Sequence, residues 1–337
     1  MKVCVFGAGA LGGHLAAQLN AAKNCELSLV ARGAHLAAIR ERGLTLKVGG
    51  REVGGKAAAA TDNPATLPPQ DIVFVALKAQ TLPAAAQAIG KLIKPDGCAV
   101  FLMNGIPWWF NFALPGNKGT LSLLDPDGAL WREVRPQRTV GSVIYSPNEV
   151  VAPGVVVHSS QNRWVFGEPD LTSSARLKTI VDLVSATGVE TAVSADIRSE
   201  LWRKLANNAS NNTLCSLTRL DSAGVANDDA LVGLSMGIIS ETLAVAAKLG
   251  WDMSKDVNVQ QVATRARGKP GMRPSTFQDV LAGKSLEIDG LLGQTQAFAR
   301  EHGVATPVID VCLPLLRGVD QALRTKELLA RHMGDRR

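Results

Sequence analysis

Hydrophobic positions follow two different patterns along the chain. Up to about residue 190, short apolar runs rich in valine alternate with stretches of helical spacing, which is typical of buried parallel strands connected by helices. Beyond that point, apolar residues recur only at helical spacing. The pattern therefore predicts an α/β protein in which a doubly wound sheet precedes an all-helical domain. The predicted ranges are 1–193 for the sheet domain, 194–330 for the helical domain and 331–337 for a C-terminal tail.

The same pattern places the individual elements. Strands are predicted at residues 2–6, 26–30, 71–77, 98–103, 140–145, 155–158, 163–166 and 189–193, and a hairpin at 44–53. The runs 155–158 and 163–166 are predicted to pair antiparallel. Ser194 is predicted to cap a helix that contains residues 200–212, and further helices are predicted at 228–249, 254–266, 275–282, 287–302 and 307–329. Gly233 and Gly237 are expected to permit close helix packing.

Composition adds limits on the class of protein. Of the 337 residues, 46% are hydrophobic and 20% charged, which is ordinary for a globular chain of two domains. No apolar run approaches the roughly 18 residues of a membrane span, and the N-terminus does not read as a signal peptide, so we expect no membrane partner. Five scattered cysteines without histidine neighbours indicate reduced thiols in the cytoplasm and predict no metal site.

Charge narrows the choice of partners. The net charge of +6 and the pI near 9.2 are mildly basic. With one tyrosine and no basic run interleaved with aromatic residues, no nucleic-acid partner is expected. Anionic small molecules suit this modest positive balance better.

A glycine-rich turn directly follows the first predicted strand, and a helical pattern comes after it. The turn reads Gly7-Ala8-Gly9-Ala10-Leu11-Gly12. A strand, Gly-x-Gly-x-x-Gly and a helix in this order form the dinucleotide-binding arrangement of a Rossmann-type domain. Gly7 permits the tight turn, Gly9 the approach of a pyrophosphate, and Gly12 the close packing of helix on strand. Free N–H groups at the start of the helix would face the phosphates.

The residue after the second strand indicates which dinucleotide is bound. An NAD enzyme usually carries Asp or Glu here to hold the ribose 2′-hydroxyl, whereas this chain has Arg32. Because a guanidinium suits a 2′-phosphate, the sequence predicts NADP(H) as the cofactor. The alternative is an ordinary surface arginine at the start of the next helix.

Two polar residues follow the next core strands. Lys78 comes after the strand at 71–77, and Asn104 after the strand at 98–103. The carboxyl ends of the strands are the ligand side of a doubly wound sheet, so both residues are candidates for cofactor contacts. The alternative for each is loop solvation or turn capping.

The helix predicted over 200–212 is unusually rich in asparagine. Lys204, Asn208 and Asn212 are spaced at i, i+4 and i+8, so one ammonium and two amides share a face. Asparagine is a mediocre helix former, which suggests that function and not helix stability selected these residues. The alternative is a solvated polar face in which Glu200 and Lys204 form an ion pair. Asn207 and Asn211, off this face, have no explanation at the level of sequence.

An irregular stretch at 107–138 begins with three consecutive aromatic residues, Trp108, Trp109 and Phe110. These aromatics are predicted to pack or to form a lid. Asp125 and Asp127 do not continue into a calcium-loop pattern, and we interpret them as turn residues.

Together these residues resemble the ketopantoate reductase (2-dehydropantoate 2-reductase) family, over nearly the whole chain. The glycine loop alone is shared with many dehydrogenases; the specific parts of the resemblance lie in 204–212 and 275–287. The matching segments are Leu77-Lys78-Ala79, Asn104-Gly105, Trp202-Arg203-Lys204-Leu205, Gln278-Asp279, Glu287-Ile288-Asp289 and Thr306-Pro307, with Asn208, Asn212 and Ser275.

The resemblance implies NADPH-dependent reduction of 2-dehydropantoate to pantoate, a step in pantothenate biosynthesis. It implies that Lys204 is the general acid, which polarises the ketone and supplies the proton. It implies substrate-binding roles for Asn208, Asn212, Ser275 and Glu287. Asn104 and Lys78 match residues between nicotinamide and substrate, with Asn104 contacting both, and Arg32 matches the 2′-phosphate ligand. The site is expected in the cleft between the domains.

Several alternatives remain open at this level. The aromatic stretch follows Asn104 directly and looks longer than the family needs, so another, bulkier 2-oxo acid is a rival substrate. A β-hydroxy-acid dehydrogenase and a non-catalytic NADP(H)-sensing protein are further rivals. Ser275 could instead cap a helix, and Glu287 could complement a helix dipole. The helix with Gly233 and Gly237 could pack within the subunit or against a second copy, which leaves a homodimer open.

Overall fold

The computed structural model describes residues 1–116 and 119–334, with side chains up to residue 325. The chain divides into two compact units, Met1–Glu200 and Leu201–Arg337. The boundary predicted after residue 193 precedes a helix that begins at Ile197, and the division between the units lies within that helix. Of the predicted tail, residues 331–334 belong to the last helix, and residues 335–337 lie outside the described residues.

The first unit contains strands of two sheets and the helices that connect them. The strands are β1 (Lys2–Phe6), β2 (Glu26–Val30), β3 (Leu44–Val48), β4 (Arg51–Gly55), β5 (Ala59–Thr61), β6 (Gln70–Val75), β7 (Ile93–Phe101), β8 (Thr139–Tyr145), β9 (Asn148–Ala152), β10 (Val155–His158), β11 (Arg163–Gly167) and β12 (Glu190–Val193). The helices are α1 (Ala10–Ala22), α2 (Gly33–Arg42), α3 (Leu82–Leu92) and α4 (Ala175–Ser185).

The larger sheet has the strand order β12-β11-β8-β7-β6-β1-β2-β5. Its central strands are parallel, and β11 is antiparallel to β8 but parallel to β12. The central strands are almost wholly buried, as their continuous apolar sequences predict. The doubly wound sheet predicted from the hydrophobic pattern is confirmed, including its last strand near residue 193.

The smaller sheet corrects one predicted pairing. Its order is β4-β3-β10-β9, so β10 pairs with β3 and β9, while β11 lies in the larger sheet beside β8. The antiparallel pair predicted for 155–158 and 163–166 is therefore wrong. Neighbours in sequence look like a hairpin, but Val156 packs over helix α1, where a Cβ on Gly13 would lie 2.8 Å from its Cγ2. Tertiary packing decides which sheet a short apolar strand joins.

The predicted hairpin at 44–53 is confirmed as β3 and β4, which pair antiparallel. Gly49 and Gly50 connect the strands with φ angles of 54° and 74°. Glycine adopts both angles without strain, and this allows the tight turn.

The second unit is built from helices, and no strand occurs among its described residues. Helix α5 (Ile197–Thr218) enters it from the first unit, and the others are α6 (Ser222–Asn227), α7 (Asp229–Lys248), α8 (Val259–Thr264), α9 (Ser275–Leu281), α10 (Gln294–Glu301) and α11 (Pro307–Gly334). A single π-helical turn (Asp289–Gly293) leads directly into α10. The predicted all-helical C-terminal part is confirmed for the part of the chain that the structure describes.

At the helix ends, the cap predicted at Ser194 is wrong, and the alternative in which Ser275 caps a helix does not hold. Helix α5 begins at Ile197, and Asp196 rather than Ser194 accepts a hydrogen bond from a first-turn amide, Arg198 N, at 3.0 Å. A carboxylate at this position satisfies an otherwise unpaired N–H. Ser275 is the first residue of α9, and Pro274 occupies the cap position, so Ser275 does not cap that helix.

Only one of the two glycines in α7 serves helix packing. A Cβ on Gly237 would lie 2.7 Å from Val308 Cγ2 of α11, whereas one on Gly233 would meet nothing within 4 Å. Glu241 strengthens the same contact, since its carboxylate accepts from the backbone N–H groups of Val308 (2.8 Å) and Ile309 (2.9 Å) at the start of α11. Close packing is thus confirmed for Gly237 and wrong for Gly233.

Helix α7 also qualifies the expectation about membrane spans. By length and composition it is the one helix, among the residues described, that could cross a membrane, with a mean hydropathy of 1.7 over 18 residues. It carries the buried Glu241, which caps α11, and its apolar residues include the buried Ile238 and Ile239. These contacts are those of a core helix.

Candidate functional site

The glycine loop between β1 and α1 has open space at Gly9, where a phosphate is expected. At Gly12, where α1 packs on the loop, it has none. Gly7 has a φ of 102°, which favours glycine. A Cβ on Gly12 would lie 2.0 Å from Gly7 O and 2.8 Å from Ala76 Cβ, so only glycine fits there. A Cβ on Gly9 would meet nothing within 4 Å. Gly7 and Gly12 therefore have the conformational and packing roles that the motif predicts, and Gly9 leaves open space beside the loop.

The start of α1 is suited to an anion. Its cap residue, Gly9, provides no side-chain hydrogen bond, and the first turn contains no acidic residue. The N-terminal amides are consequently left for a ligand, and the helix dipole favours negative charge. The loop itself is fixed from behind, because Gly7 N and Ala8 N both donate to Val30 O, at 2.9 and 3.2 Å. These features fit the pyrophosphate of a dinucleotide.

The other predicted cofactor residues follow strands that end side by side. Phe6 of β1 lies opposite Val30 of β2 and Val75 of β6, and Val75 lies opposite Phe101 of β7. Because these strands are parallel, the segments after them leave the same edge of the sheet. The structure thus brings together at one edge the glycine loop and the segments that carry Arg32, Lys78 and Asn104.

These three residues are accessible to different degrees. Arg32 is exposed at the cap position of α2, so its guanidinium is accessible to a ligand. Lys78 and Asn104 are half-buried just beyond β6 and β7. The carboxylate that would hold a ribose 2′-hydroxyl is missing at the end of β2, where Ala31 and Arg32 stand.

The aromatic segment after Asn104 forms part of the interior of the first unit. Trp108, Trp109 and Phe110 are all buried, with at most 2% of each exposed. A Cβ on Gly141 of β8 would lie 2.8 Å from the Trp109 ring. Of the two predicted roles, packing is the one these positions support.

Arg198 holds this aromatic segment and was not recognised in the sequence. Its guanidinium is buried and donates to the carbonyl oxygens of Phe110 (2.8 Å), Phe112 (2.5 Å) and Pro169 (2.6 Å). Burial lowers the pKa of Arg198 to about 10, while Asp196 and Asp170 oppose that change. No local sequence signal marks this arginine, because its partners are distant in sequence.

The buried Asp125 has a related role in the same stretch. Its carboxylate accepts from the backbone N–H groups of Leu130 (3.0 Å) and Trp131 (2.9 Å), which begin a short helical turn. This supports its interpretation as a structural residue of the loop.

In the second unit, Lys204 lies half-buried on α5. Burial lowers the pKa of its ammonium to about 8, and the Glu287 carboxylate opposes that change by favouring the charged form. Glu287 is itself 7% exposed and lies two residues before the π-helical turn that leads into α10. A lysine with a pKa close to neutral pH can give up a proton during a reaction, which an ordinary surface lysine does poorly.

Asn212 connects the helix of Lys204 to Ser275. Its side-chain oxygen accepts from Thr276 N at 2.9 Å and Ser275 Oγ at 3.4 Å, and its amide nitrogen donates to Asn208 O at 3.0 Å. Asn212 is only 3% exposed. It therefore fixes the start of α9, while the Asn208 side chain is half-buried on the same face of α5.

Asn207 and Asn211, unexplained in the sequence, contact polar groups within the second unit or line a cavity there. Asn211 donates to Ser222 Oγ at 3.0 Å and accepts from Cys215 Sγ at 3.4 Å. Both asparagines line a small polar cavity, together with Ser210 and Ser235, whose hydroxyl groups are hydrogen-bonded to each other. The Asn211 amide therefore satisfies polar groups of the interior, and Asn207 lines the same cavity.

His35 of the first unit is another residue whose contacts the sequence did not predict. His35, in the first turn of α2, bridges Ala8 O of the glycine loop at 2.6 Å and Gly154 N at 3.0 Å. Its place three residues after Arg32 was visible in the sequence, but its partners were not. Among the described residues, no group of three or more His, Cys, Asp or Glu side chains could hold a metal ion.

Comparison with known proteins matches almost the whole chain. A family model described as ketopantoate reductase PanE/ApbA matches residues 3–170, and the model of its C-terminal part matches residues 196–320. The 2-dehydropantoate 2-reductase of Mesorhizobium japonicum is 37% identical over 319 residues, which cover 94% of this chain and 97% of that protein.

Solved structures share the architecture. A protein of Ralstonia solanacearum MolK2, assigned to the ketopantoate reductases, superimposes with a TM-score of 0.88 at 32% identity, covering 95% of this chain and 98% of that one. A D-mandelate dehydrogenase bound to NADH and anilino(oxo)acetate gives a TM-score of 0.82 at 23% identity, covering 96% and 100%. The second likeness shows the fold alone.

Proposed function

The chain belongs to the ketopantoate reductase family, and on that premise we propose that it reduces 2-dehydropantoate to pantoate with NADPH. The observation that carries this proposal is the half-buried Lys204, whose lowered pKa and neighbouring Glu287 suit a proton donor. The product would feed pantothenate biosynthesis. The Mesorhizobium japonicum relative bears the name of this activity, which supports the choice of substrate.

The proposed mechanism divides the work between the two units. Bound NADPH would supply the hydride that the carbonyl carbon of the 2-oxo acid accepts. Lys204 polarises the carbonyl oxygen and transfers its proton to it, so that the ketone becomes an alcohol and Lys204 is left neutral. Its ammonium also stabilises the negative charge that develops on that oxygen.

Side chains of the second unit would bind the substrate around Lys204. Ser275 donates a hydrogen bond to its carboxylate, and Asn208 and Asn212 bind its hydroxyl end. Glu287 contacts the substrate and keeps Lys204 charged before the transfer. Because a hydroxyl has one proton, Ser275 would exchange its 3.4 Å contact with the Asn212 side-chain oxygen for this bond to the carboxylate.

The first unit would hold the cofactor. The loop Gly7–Gly12 and the start of α1 bind the pyrophosphate, Arg32 binds the 2′-phosphate, and Lys78 and Asn104 approach the nicotinamide, with Asn104 also contacting substrate. The support is the common edge of the sheet that these segments share.

Initial rates of NADPH oxidation with 2-dehydropantoate, compared with a panel of aliphatic and aromatic 2-oxo acids, test the substrate. We expect kcat/KM to be highest for 2-dehydropantoate. A higher kcat/KM for an aromatic 2-oxo acid would contradict 2-dehydropantoate as the substrate, but the reduction of a 2-oxo acid would still stand. Cofactor binding without turnover of any member would instead favour a nucleotide-sensing protein.

A second experiment tests the choice of cofactor. Arg32→Ala should weaken NADPH binding by about ten- to a hundredfold and leave NADH binding nearly unchanged, because a charge-assisted contact to the 2′-phosphate is lost. Arg40→Ala, on the same helix, is the matched control, since its guanidinium donates to Ala60 O. Equal losses for the two nucleotides would contradict the role given to Arg32.

We also propose that the protein is a cytoplasmic homodimer. All five cysteines are free, which fits a reducing compartment. Leu234 of α7 and Val311 and Leu315 of α11 are large apolar side chains that remain exposed on two helices in contact, and a second copy could cover them. The molar mass from light scattering tests the dimer, and a monomer at micromolar concentration would contradict it.

A further inference from the structure

The contact between His35 and the glycine loop has a defined chemistry. Gly154 N–H donates to Nδ1 of His35, so that nitrogen carries no proton in the neutral ring. The proton is therefore on Nε2, which donates to Ala8 O at 2.6 Å. The imidazole thus acts as acceptor toward the β9–β10 turn and as donor toward the loop.

The hydrogen bond to Ala8 O fixes the direction of the next amide. In a trans peptide the C=O and N–H groups point in opposite directions, and no cis peptide occurs among the residues that the structure describes. With Ala8 O directed at His35, the Gly9 N–H must point away from that ring. Gly9 is also the position where an added Cβ would meet open space.

We propose that His35 is a positioning residue that orients the Ala8–Gly9 peptide so that Gly9 N–H faces the pyrophosphate of the cofactor. This inference rests on the proposed NADPH binding and adds a residue that the glycine motif does not contain. Ala8 is buried, and its N–H is held by Val30 O, so the histidine completes the restraint on the loop. Because His35 lies in the first turn of α2, it also ties the loop to the helix capped by Arg32.

Two conservative variants separate the two hydrogen bonds of His35. The amide nitrogen of a glutamine lies near the position of the imidazole Nε2, so His35→Gln keeps the donor to Ala8 O. The amide oxygen of an asparagine lies near the position of Nδ1, so His35→Asn keeps the acceptor for Gly154 N–H. Each variant leaves one polar group without its partner, and His35→Ala leaves both.

The experiment measures NADPH binding without substrate, by the fluorescence of the nucleotide, together with the unfolding temperature of each variant. We expect His35→Gln to bind NADPH within about twofold of the wild type, and His35→Asn and His35→Ala to bind about five- to tenfold more weakly. NADH should show the same losses, because both nucleotides contain the pyrophosphate. His302→Gln is the matched control and should leave binding unchanged.

The unfolding temperature distinguishes positioning from simple stabilisation. His35→Gln and His35→Asn should both unfold at lower temperature, although only the second loses affinity. Equal losses of affinity in the two variants, or wild-type affinity in His35→Ala, would overturn the proposal. A wild type that binds nucleotide but fails to reduce 2-dehydropantoate overturns only the proposed substrate. A wild type that binds neither nucleotide overturns both proposals.

Discussion

The two units prepare their candidate sites with different parts of the chain. In the first unit the glycine loop offers backbone amides, and the lack of side chains is what counts. Gly9 leaves room for a ligand, and Gly12 permits close contact between helix and strand. In the second unit the candidate site consists of side chains from three separate segments, with Lys204 and Asn212 on α5, Ser275 on α9, and Glu287 before α10.

This difference follows from what each ligand group requires. A pyrophosphate is bound well by several N–H groups that a turn and a helix start can supply from a few adjacent residues. A proton transfer needs one group with an adjusted pKa, and burial and a neighbouring charge provide that adjustment. Substitutions in the first unit should therefore act sterically, by filling space. Substitutions in the second unit should act by changing charge and hydrogen bonding.

The largest effect is expected at Lys204. Lys204→Ala should lower kcat by about a hundred- to ten-thousandfold, since the proton donor is lost. NADPH affinity should hold, because the proposed nucleotide ligands all belong to the first unit. Stopped-flow measurement of NADPH oxidation checks the rate. Lys178→Ala, which removes an exposed lysine paired with Asp182, is the matched control. An unchanged rate in Lys204→Ala would contradict the mechanism.

The pH dependence gives the same residue a second test. A general acid must be protonated, so kcat should fall as the pH rises past about 8, the pKa that burial gives Lys204. Glu287 raises this pKa, and its removal in Glu287→Gln should move the fall to lower pH. A fall that moves to higher pH in that variant would contradict the proposed coupling of Glu287 to Lys204.

The next effect separates two glycines of the loop. Gly12→Ala should destabilise the first unit by about 2–4 kcal/mol, because the new methyl group would lie 2.0 Å from Gly7 O. Gly9→Ala should unfold at the wild-type temperature but bind NADPH more weakly, since its methyl group enters the space meant for phosphate. Thermal unfolding and nucleotide titration check the pair. Equal destabilisation by both substitutions would contradict the assignment of Gly12 to helix packing and of Gly9 to phosphate binding.

In the second unit, two asparagines should separate in a similar way. Asn212→Ala should lower stability by about 1–3 kcal/mol, because the buried Thr276 N–H loses its acceptor, and should also raise KM for the 2-oxo acid. Asn208→Ala should raise KM without this loss, since the contact made to Asn212 uses the Asn208 backbone carbonyl. A loss of stability in Asn208→Ala as large as in Asn212→Ala would contradict this division.

The smallest effect concerns glycines that serve no ligand. Gly233→Ala should stabilise the protein by about 0.5–1 kcal/mol, because the position is helical and open. Gly237→Ala should destabilise it, since the methyl group would lie 2.7 Å from Val308 Cγ2. Denaturant unfolding checks both variants, and stabilisation by Gly237→Ala would contradict the tight contact between α7 and α11.

Local patterns in the sequence predicted most features of the first unit. The order of strands and helices, the glycine loop and the polar residues after successive strands could all be found because each depends on neighbours in sequence. Parallel strands also end at a common edge, which placed Arg32, Lys78 and Asn104 on one side. The pairing of β10 with β3 could not be found, because hydrophobic patterning does not specify which sheet a strand joins.

The sequence by itself determined that Lys204, Asn208 and Asn212 share a helical face, because helix periodicity is a local property. Tertiary structure decided what each does there. Burial and Glu287 set the pKa of Lys204, and Asn212 became the link to α9. It also decided that His35 reaches Ala8 and that Arg198 binds carbonyl groups far away in the chain. Burial and contacts between distant residues depend on how the helices and sheets pack, and no short stretch of sequence contains that information.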